Sequence, residues 1–79
     1  MLAIKILGPG CANCKRLEQM TRKLVAELQL EAEIEKVTEM SEIMKWPILS
    51  TPGLVINNKV VSSGRIPSID EVAGWLKQA

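Results

Sequence analysis

The chain has 79 residues, 47% of them hydrophobic and 24% charged, with a formal net charge of +1. That length implies one domain over residues 1–79, the hydrophobic share excludes disorder, and the balanced charge argues against nucleic-acid or anionic-membrane partners. No apolar run reaches the ~20 residues that span a bilayer, and the lack of histidine removes the commonest acid–base group and metal ligand.

The chain opens with "MLAIKILG", an apolar stretch without the long core and small-residue cleavage site of a secretion signal. Residues 2–7, rich in branched apolar side chains and followed by Gly-Pro-Gly, read as a buried strand. A cytoplasmic location is the expectation, and lasting structural disulfides are rare there. Residues 12–29 hold no Gly or Pro, and Leu17, Met20, Leu24 and Leu28 recur at helical spacing. Residues 31–37 alternate, with Ala32, Ile34 and Lys36 on one side of a second strand. Residues 38–46 place Met40, Ile43 and Met44 on one side of a short helix, which predicts that both methionines pack inward. Pro47 disfavours helical geometry at Trp46 and ends it. Trp46 and Trp75, the only aromatic residues, are expected at the core or its edge.

Residues 54–57 and 59–63 read as two strands, with Asn57-Asn58 supplying the positive φ of a tight hairpin turn. Ser68 and Glu71 form a capping-box pattern ahead of a helix marked by Ile69, Val72, Ala73 and Leu76. The order is β-α-β-α-β-β-α, an α/β fold with a four-stranded mixed sheet flanked by helices. The first two strands, joined through a helix, are expected to be parallel.

Both cysteines lie in "GPGCANCK", residues 8–15. The turn at Gly8–Gly10 sets Cys11 at the start of the first helix and Cys14 within its first turn, where a three-residue spacing puts both sulfurs on one side. Free N–H groups and the helix dipole favour a thiolate there, and Lys15 adds positive charge. Cys11, at the exposed tip, is then the attacking sulfur and Cys14 the resolving one. A disulfide closing so small a loop would stabilise little as a staple. A metal clamp is the rival reading, because small copper-chaperone domains carry a C-x-x-C at their first β–α junction. Pro9 stands where those domains usually have Met, and the C-terminal segment here is helical.

A second motif, "STPGLVIN" at 50–57, sharpens the choice. With it, the chain resembles the thioredoxin superfamily, above all its small, glutaredoxin-sized redox-active disulfide branch. The shared pattern is strand, Gly-x-Gly-Cys-x-x-Cys-Lys, helix, then Ser-Thr-Pro before a strand, a turn, a strand ending in Gly (Gly64 here) and a last helix. The resemblance implies that Thr51-Pro52 is a cis peptide facing the cysteines, with the Thr51 backbone pairing to an extended substrate segment. It implies a protein disulfide oxidoreductase with protein disulfide substrates and a thioredoxin-reductase-type flavoprotein as electron donor. No cofactor beyond the Cys11–Cys14 disulfide is expected, no metal, and a monomer. A metal-binding module and a redox sensor without turnover stand as the alternatives. The pattern departs from better-known thioredoxins in having Gly10 rather than Trp before the first cysteine and Ala12-Asn13 between the two. Lys5 stands where those proteins carry a buried acid. It either snorkels to solvent or lies beneath Cys14, where its charge would favour the thiolate.

Overall fold

The computed structural model describes residues 1–48 and 50–79. The elements run β1 (Leu2–Leu7), α1 (Ala12–Glu27), β2 (Ala32–Val37), α2 (Met40–Ile43), β3 (Gly53–Ile56), β4 (Lys59–Ser63) and α3 (Ile69–Gln78). They form a mixed four-stranded sheet in the order β2-β1-β3-β4. β1 runs parallel to β2, with Ile4 opposite Ile34, and antiparallel to β3, with Ile6 opposite Leu54. The β3–β4 hairpin turns on Asn57 and Asn58, at φ 51° and 66°, as the side-chain chemistry of asparagine allows. Asn57 also anchors the turn to β1, its Oδ1 accepting from the Ala3 N–H at 3.0 Å.

The sheet divides the core in two. On one face Ile4, Ile6, Leu54 and Ile56 pack against Leu17 and Leu24 of α1 and Val72 and Leu76 of α3. On the other, Leu7, Val37 and Val55 pack against Ile43 of α2, with Trp46 and Ile48 at the edge. Each such side chain, fully buried, stabilises the fold by about 1.5–3 kcal/mol relative to exposure. α1 stops two residues before the sequence suggests: Leu28 is its C-cap, and Gln29 reverses the chain at φ 55°.

Met40 and Met44 correct an expectation. Ile43 is 3% exposed, while Met40 and Met44 are 55% and 75% exposed. α2 spans only Met40–Ile43, so a single turn faces the sheet and one side chain covers it. Ile69, also expected on the buried side of its helix, is 58% exposed, because it is the first residue of α3 and precedes the turn that meets the core.

α3 begins with the capping box that its sequence announces. Ser68 Oγ accepts from the Glu71 N–H at 3.1 Å, and Glu71 Oε1 accepts from the Ser68 N–H at 3.0 Å. Arg65 grips the same carboxylate with both guanidinium nitrogens, at 3.0 and 2.9 Å. The Arg65 hydrogen bonds, then the Ser68 backbone bond, pull the Glu71 pKa from its ordinary 4.5 to about 2. A carboxylate depressed in the folded state stabilises the fold above its unfolded pKa and stops doing so as pH falls through the folded one. The advantage of wild type over Glu71→Gln in urea unfolding is therefore expected to be full at neutral pH. It should shrink between pH 4.5 and about 2. A difference between the two proteins that stays constant across that interval would contradict the assignment.

Candidate active site

The turn from β1 into α1 builds the site. Gly8 ends the strand and donates to the Val37 carbonyl at 2.9 Å, so its backbone continues the β1–β2 ladder. Gly10 then takes φ 95°, a conformation glycine adopts at no steric cost. Cys11 is the N-cap of α1, in extended geometry at φ −68° and ψ 166°. Its Sγ accepts from the Cys14 N–H at 3.2 Å, where a capping serine would place its hydroxyl.

Cys11 and Cys14 are joined in a disulfide, with Cα atoms 5.0 Å apart. The Cys11 sulfur stands in for the thiolate that reduction would leave at the same place. There it would meet the free N–H groups and positive pole of a 16-residue helix. Burial separates the two cysteines: Cys11 is exposed and Cys14 is 5% exposed.

The Thr51-Pro52 peptide is cis. Pro52 is buried and Thr51 half-buried, and a Cβ built on Gly8 would stand 3.8 Å from Thr51 Cβ and overlap Cys14 Sγ. The two motifs, some forty residues apart in sequence, thus meet across Gly8. The Pro52 carbonyl accepts from the Gly64 N–H at 2.9 Å, which joins the loop after β4 to the same end of the sheet. From Thr51 a groove of about 320 Å³ runs along Ser50, Ile48 and Ile43 to Met40 and Met44. The exposed methionines are its apolar wall, and their polarisable, flexible side chains suit varied apolar partners.

The lysines singled out in the sequence fall in different places. Lys15 is exposed and lines a small cavity against Cys14. Lys5 does not lie beneath Cys14. Strand alternation puts it on the face shared by Leu7 and Val55, away from α1, and its Nζ sits 5.4 Å from the centre of the Trp46 ring. It lines a separate cavity of about 260 Å³ with Glu35, Glu39 and Glu42, where ammonium and ring attract each other.

Two charged residues that sequence reasoning did not assign to the site also line the Cys14 cavity: Glu18 and Lys36. The available signal was the spacing of Glu18, four residues after Cys14 and so on the same side of α1. Glu18 accepts from Arg22 Nε at 2.9 Å and pairs with Lys36 Nζ at 3.7 Å. The Arg22 hydrogen bond, helped by the charge of Lys36 and opposed by burial, holds its carboxyl below the ordinary range. Among the described residues there is no group of three or more Cys, Asp and Glu side chains placed to hold a metal ion.

Comparison with known proteins agrees with this geometry. A family model for the thioredoxin domain matches residues 2–77. The chain is 40% identical over 77 residues to a thioredoxin of Methanocaldococcus jannaschii, covering 98% of this chain and 88% of that protein. It is also 40% identical over 72 residues to a thioredoxin of Methanothermobacter thermautotrophicus, covering 91% of this chain and 94% of the relative.

Proposed function

The chain belongs to the thioredoxin family and is a thiol–disulfide oxidoreductase working through a C-x-x-C pair, and from that premise we propose how its own residues divide the reaction. Cys11 is the nucleophile and Cys14 the resolving thiol. The observation that carries this division is the contrast between an exposed Cys11 at the N-cap of α1, its sulfur hydrogen-bonded by the Cys14 N–H, and a buried Cys14.

In the reduced protein the Cys11 thiolate attacks one sulfur of a substrate disulfide. A Cys11–substrate bond forms as the substrate S–S bond breaks, and the second substrate sulfur leaves as a thiolate. Cys14 then attacks Cys11 Sγ, forming the Cys11–Cys14 disulfide and releasing the first substrate sulfur. Two electrons pass from the cysteine pair to the substrate, whose sulfurs end protonated. Thr51, against Gly8 and the cysteine pair, is the backbone on which an extended substrate segment pairs, and Pro52 shapes that edge. The Met40–Met44 groove takes an apolar side chain of the same segment.

Protein disulfides are the substrates of this family and a reductase restores the dithiol. We assign the restoring step to a thioredoxin-reductase-type flavoprotein acting on a monomer in the cytoplasm, where dithiol pairs serve redox rather than structural ends. Reduction of insulin by catalytic amounts of the protein, sustained by a flavoprotein reductase and a nicotinamide donor, is the expected result. Stoichiometric reduction that stops after one turnover would instead indicate a sensor.

The groove makes a separate prediction. Fully burying a methionine contributes about 1.5–3 kcal/mol, so losing part of that contact in the double variant Met40→Ser/Met44→Ser should raise KM for insulin roughly tenfold. Reduction of a small aromatic disulfide, which does not reach the groove, should stay at the wild-type rate. Equal effects on both substrates would remove the groove from the binding site.

A further inference from the structure

The chain holds four methionines and neither Phe nor Tyr. Met40 and Met44 line the groove that leads to Thr51, together with Ile43, Ile48 and Ser50. They are 55% and 75% exposed, whereas Ile43 between them is 3% exposed. The cause is the length of α2: a helix of four residues covers the sheet with one side chain and leaves the flanking methionines to solvent. The other two methionines stand elsewhere. Met1 precedes β1, at the end of that strand opposite to the cysteines, and Met20 is half-buried against the core beneath α1.

Leucine or isoleucine would make this wall equally apolar and chemically inert. A thioether is different. Oxidation to the sulfoxide turns a flexible apolar side chain into a polar one and disrupts contact surfaces built on methionine. A sulfoxide pressed against an apolar side chain loses its water and gains no hydrogen-bond partner in return, which costs binding energy. The effect is confined by the geometry. Thr51 links the groove to the cysteine pair across Gly8, so a change at the methionine wall alters what can lie beside Cys11 without altering Cys11 or Cys14.

We propose that Met40 and Met44 are a peroxide-oxidisable modification site, and that their oxidation weakens the groove for protein substrates while leaving the cysteine chemistry intact. The role rests on the reading of the groove as a substrate-binding surface. In the modification step the thioether sulfur attacks one oxygen of a hydroperoxide. The S–O bond forms and the O–O bond breaks. The leaving oxygen takes the proton of the transferred one and departs as water or an alcohol. The sulfur gives up two electrons and the peroxide gains them. Reversal takes a dithiol: the sulfoxide oxygen leaves as water while two thiols become a disulfide. Under peroxide the protein would thus turn from protein disulfides towards small ones.

The test treats the disulfide form with hydrogen peroxide, so that neither cysteine is a free thiol, then removes the peroxide and reduces the pair with dithiothreitol. Peptide mass spectrometry is expected to find oxygen on Met40 and Met44 before Met20. The treated protein should show a KM for insulin about tenfold higher, the scale of losing the same apolar contact. Its rate with a small aromatic disulfide dye, dithiobis-nitrobenzoate, should not change. Methionine sulfoxide reductases acting on both sulfoxide epimers should restore the KM. Met40→Leu/Met44→Leu, whatever KM it starts from, should show the same KM before and after peroxide. Oxidation of Met20 first, an unchanged KM with both sulfoxides in place, an equal loss towards insulin and the dye, or a loss of the same size in the leucine variant would overturn the proposal. Met40→Ser/Met44→Ser separates this failure from that of the groove itself. A raised KM in the serine variant with none on oxidation removes the modification site and leaves the groove standing. A wild-type KM in the serine variant removes the groove, and the modification site with it.

Discussion

Replacing Cys11 by Ser is expected to lower insulin reduction by at least ~10³-fold, the scale on which loss of a nucleophile is felt in enzymes that form covalent intermediates. Serine keeps the shape of the N-cap, and its hydroxyl still accepts from the residue 14 N–H, so α1 should form as before. What disappears is the sulfur that forms the mixed disulfide. Cys14→Ser fails differently. Cys11 still attacks, but nothing displaces the substrate, and the protein should accumulate as covalent adducts visible on non-reducing gels and dissolved by dithiothreitol. The asymmetry follows from burial: Cys11 is exposed at the helix start and Cys14 is enclosed in the turn. Equal trapping by the two variants would mean that either sulfur can meet substrate, and the assigned roles would fall.

Gly8→Ala should produce the largest loss of stability among substitutions near the site. A Cβ at Gly8 would overlap Cys14 Sγ and stand 3.1 Å from Cys14 Cβ. Neither side can retreat easily. The Gly8 backbone is held in the ladder by its bond to Val37, and α1 is held against the sheet by Leu17, which is fully buried. Forcing an extra methyl group into such packing costs roughly 1–3 kcal/mol. For a chain of this length total stability is only ~4–12 kcal/mol, so the midpoint of urea unfolding should fall measurably. Displacement of Cys14 should also slow its attack on the Cys11–substrate disulfide. Gly74→Ala provides the internal contrast. Gly74 lies inside α3, and a Cβ there meets nothing within 4 Å. That variant should gain about 0.5–1 kcal/mol, the difference between Gly and Ala in a helix. A Gly8→Ala protein as stable as wild type would show that the strand end and the helix can separate after all.

Much of this arrangement was legible from the residues alone, for reasons that are local. The helical spacing of Leu17, Met20 and Leu24, the Asn57-Asn58 turn and the Ser68–Glu71 box each involve residues only a few positions apart. Backbone sterics and capping chemistry act at that range, and the structure carries all three. The placement of Cys11 at the N-cap followed equally from the Gly-Pro-Gly turn before an uninterrupted helical stretch. Met40 and Met44 went astray because periodicity identifies a face without saying how much of it is covered. On a helix of four residues a single turn meets the sheet, and Ile43 fills that contact.

The amino-acid sequence by itself determined the elements, their order and the presence of a reactive cysteine pair, because these depend on local conformational preference and on which side chains repel water. Only the tertiary structure decided which charged groups attend that pair. Lys5 is six residues from Cys11 in the chain, yet strand alternation sends it through the sheet to Trp46. Lys36 is distant in sequence, yet the parallel pairing of β2 with β1 brings it over Glu18 at the edge of the Cys14 cavity. Charge acts through space over a few ångströms, and those distances exist only once the crossover has set α1 and α2 on opposite faces of the sheet.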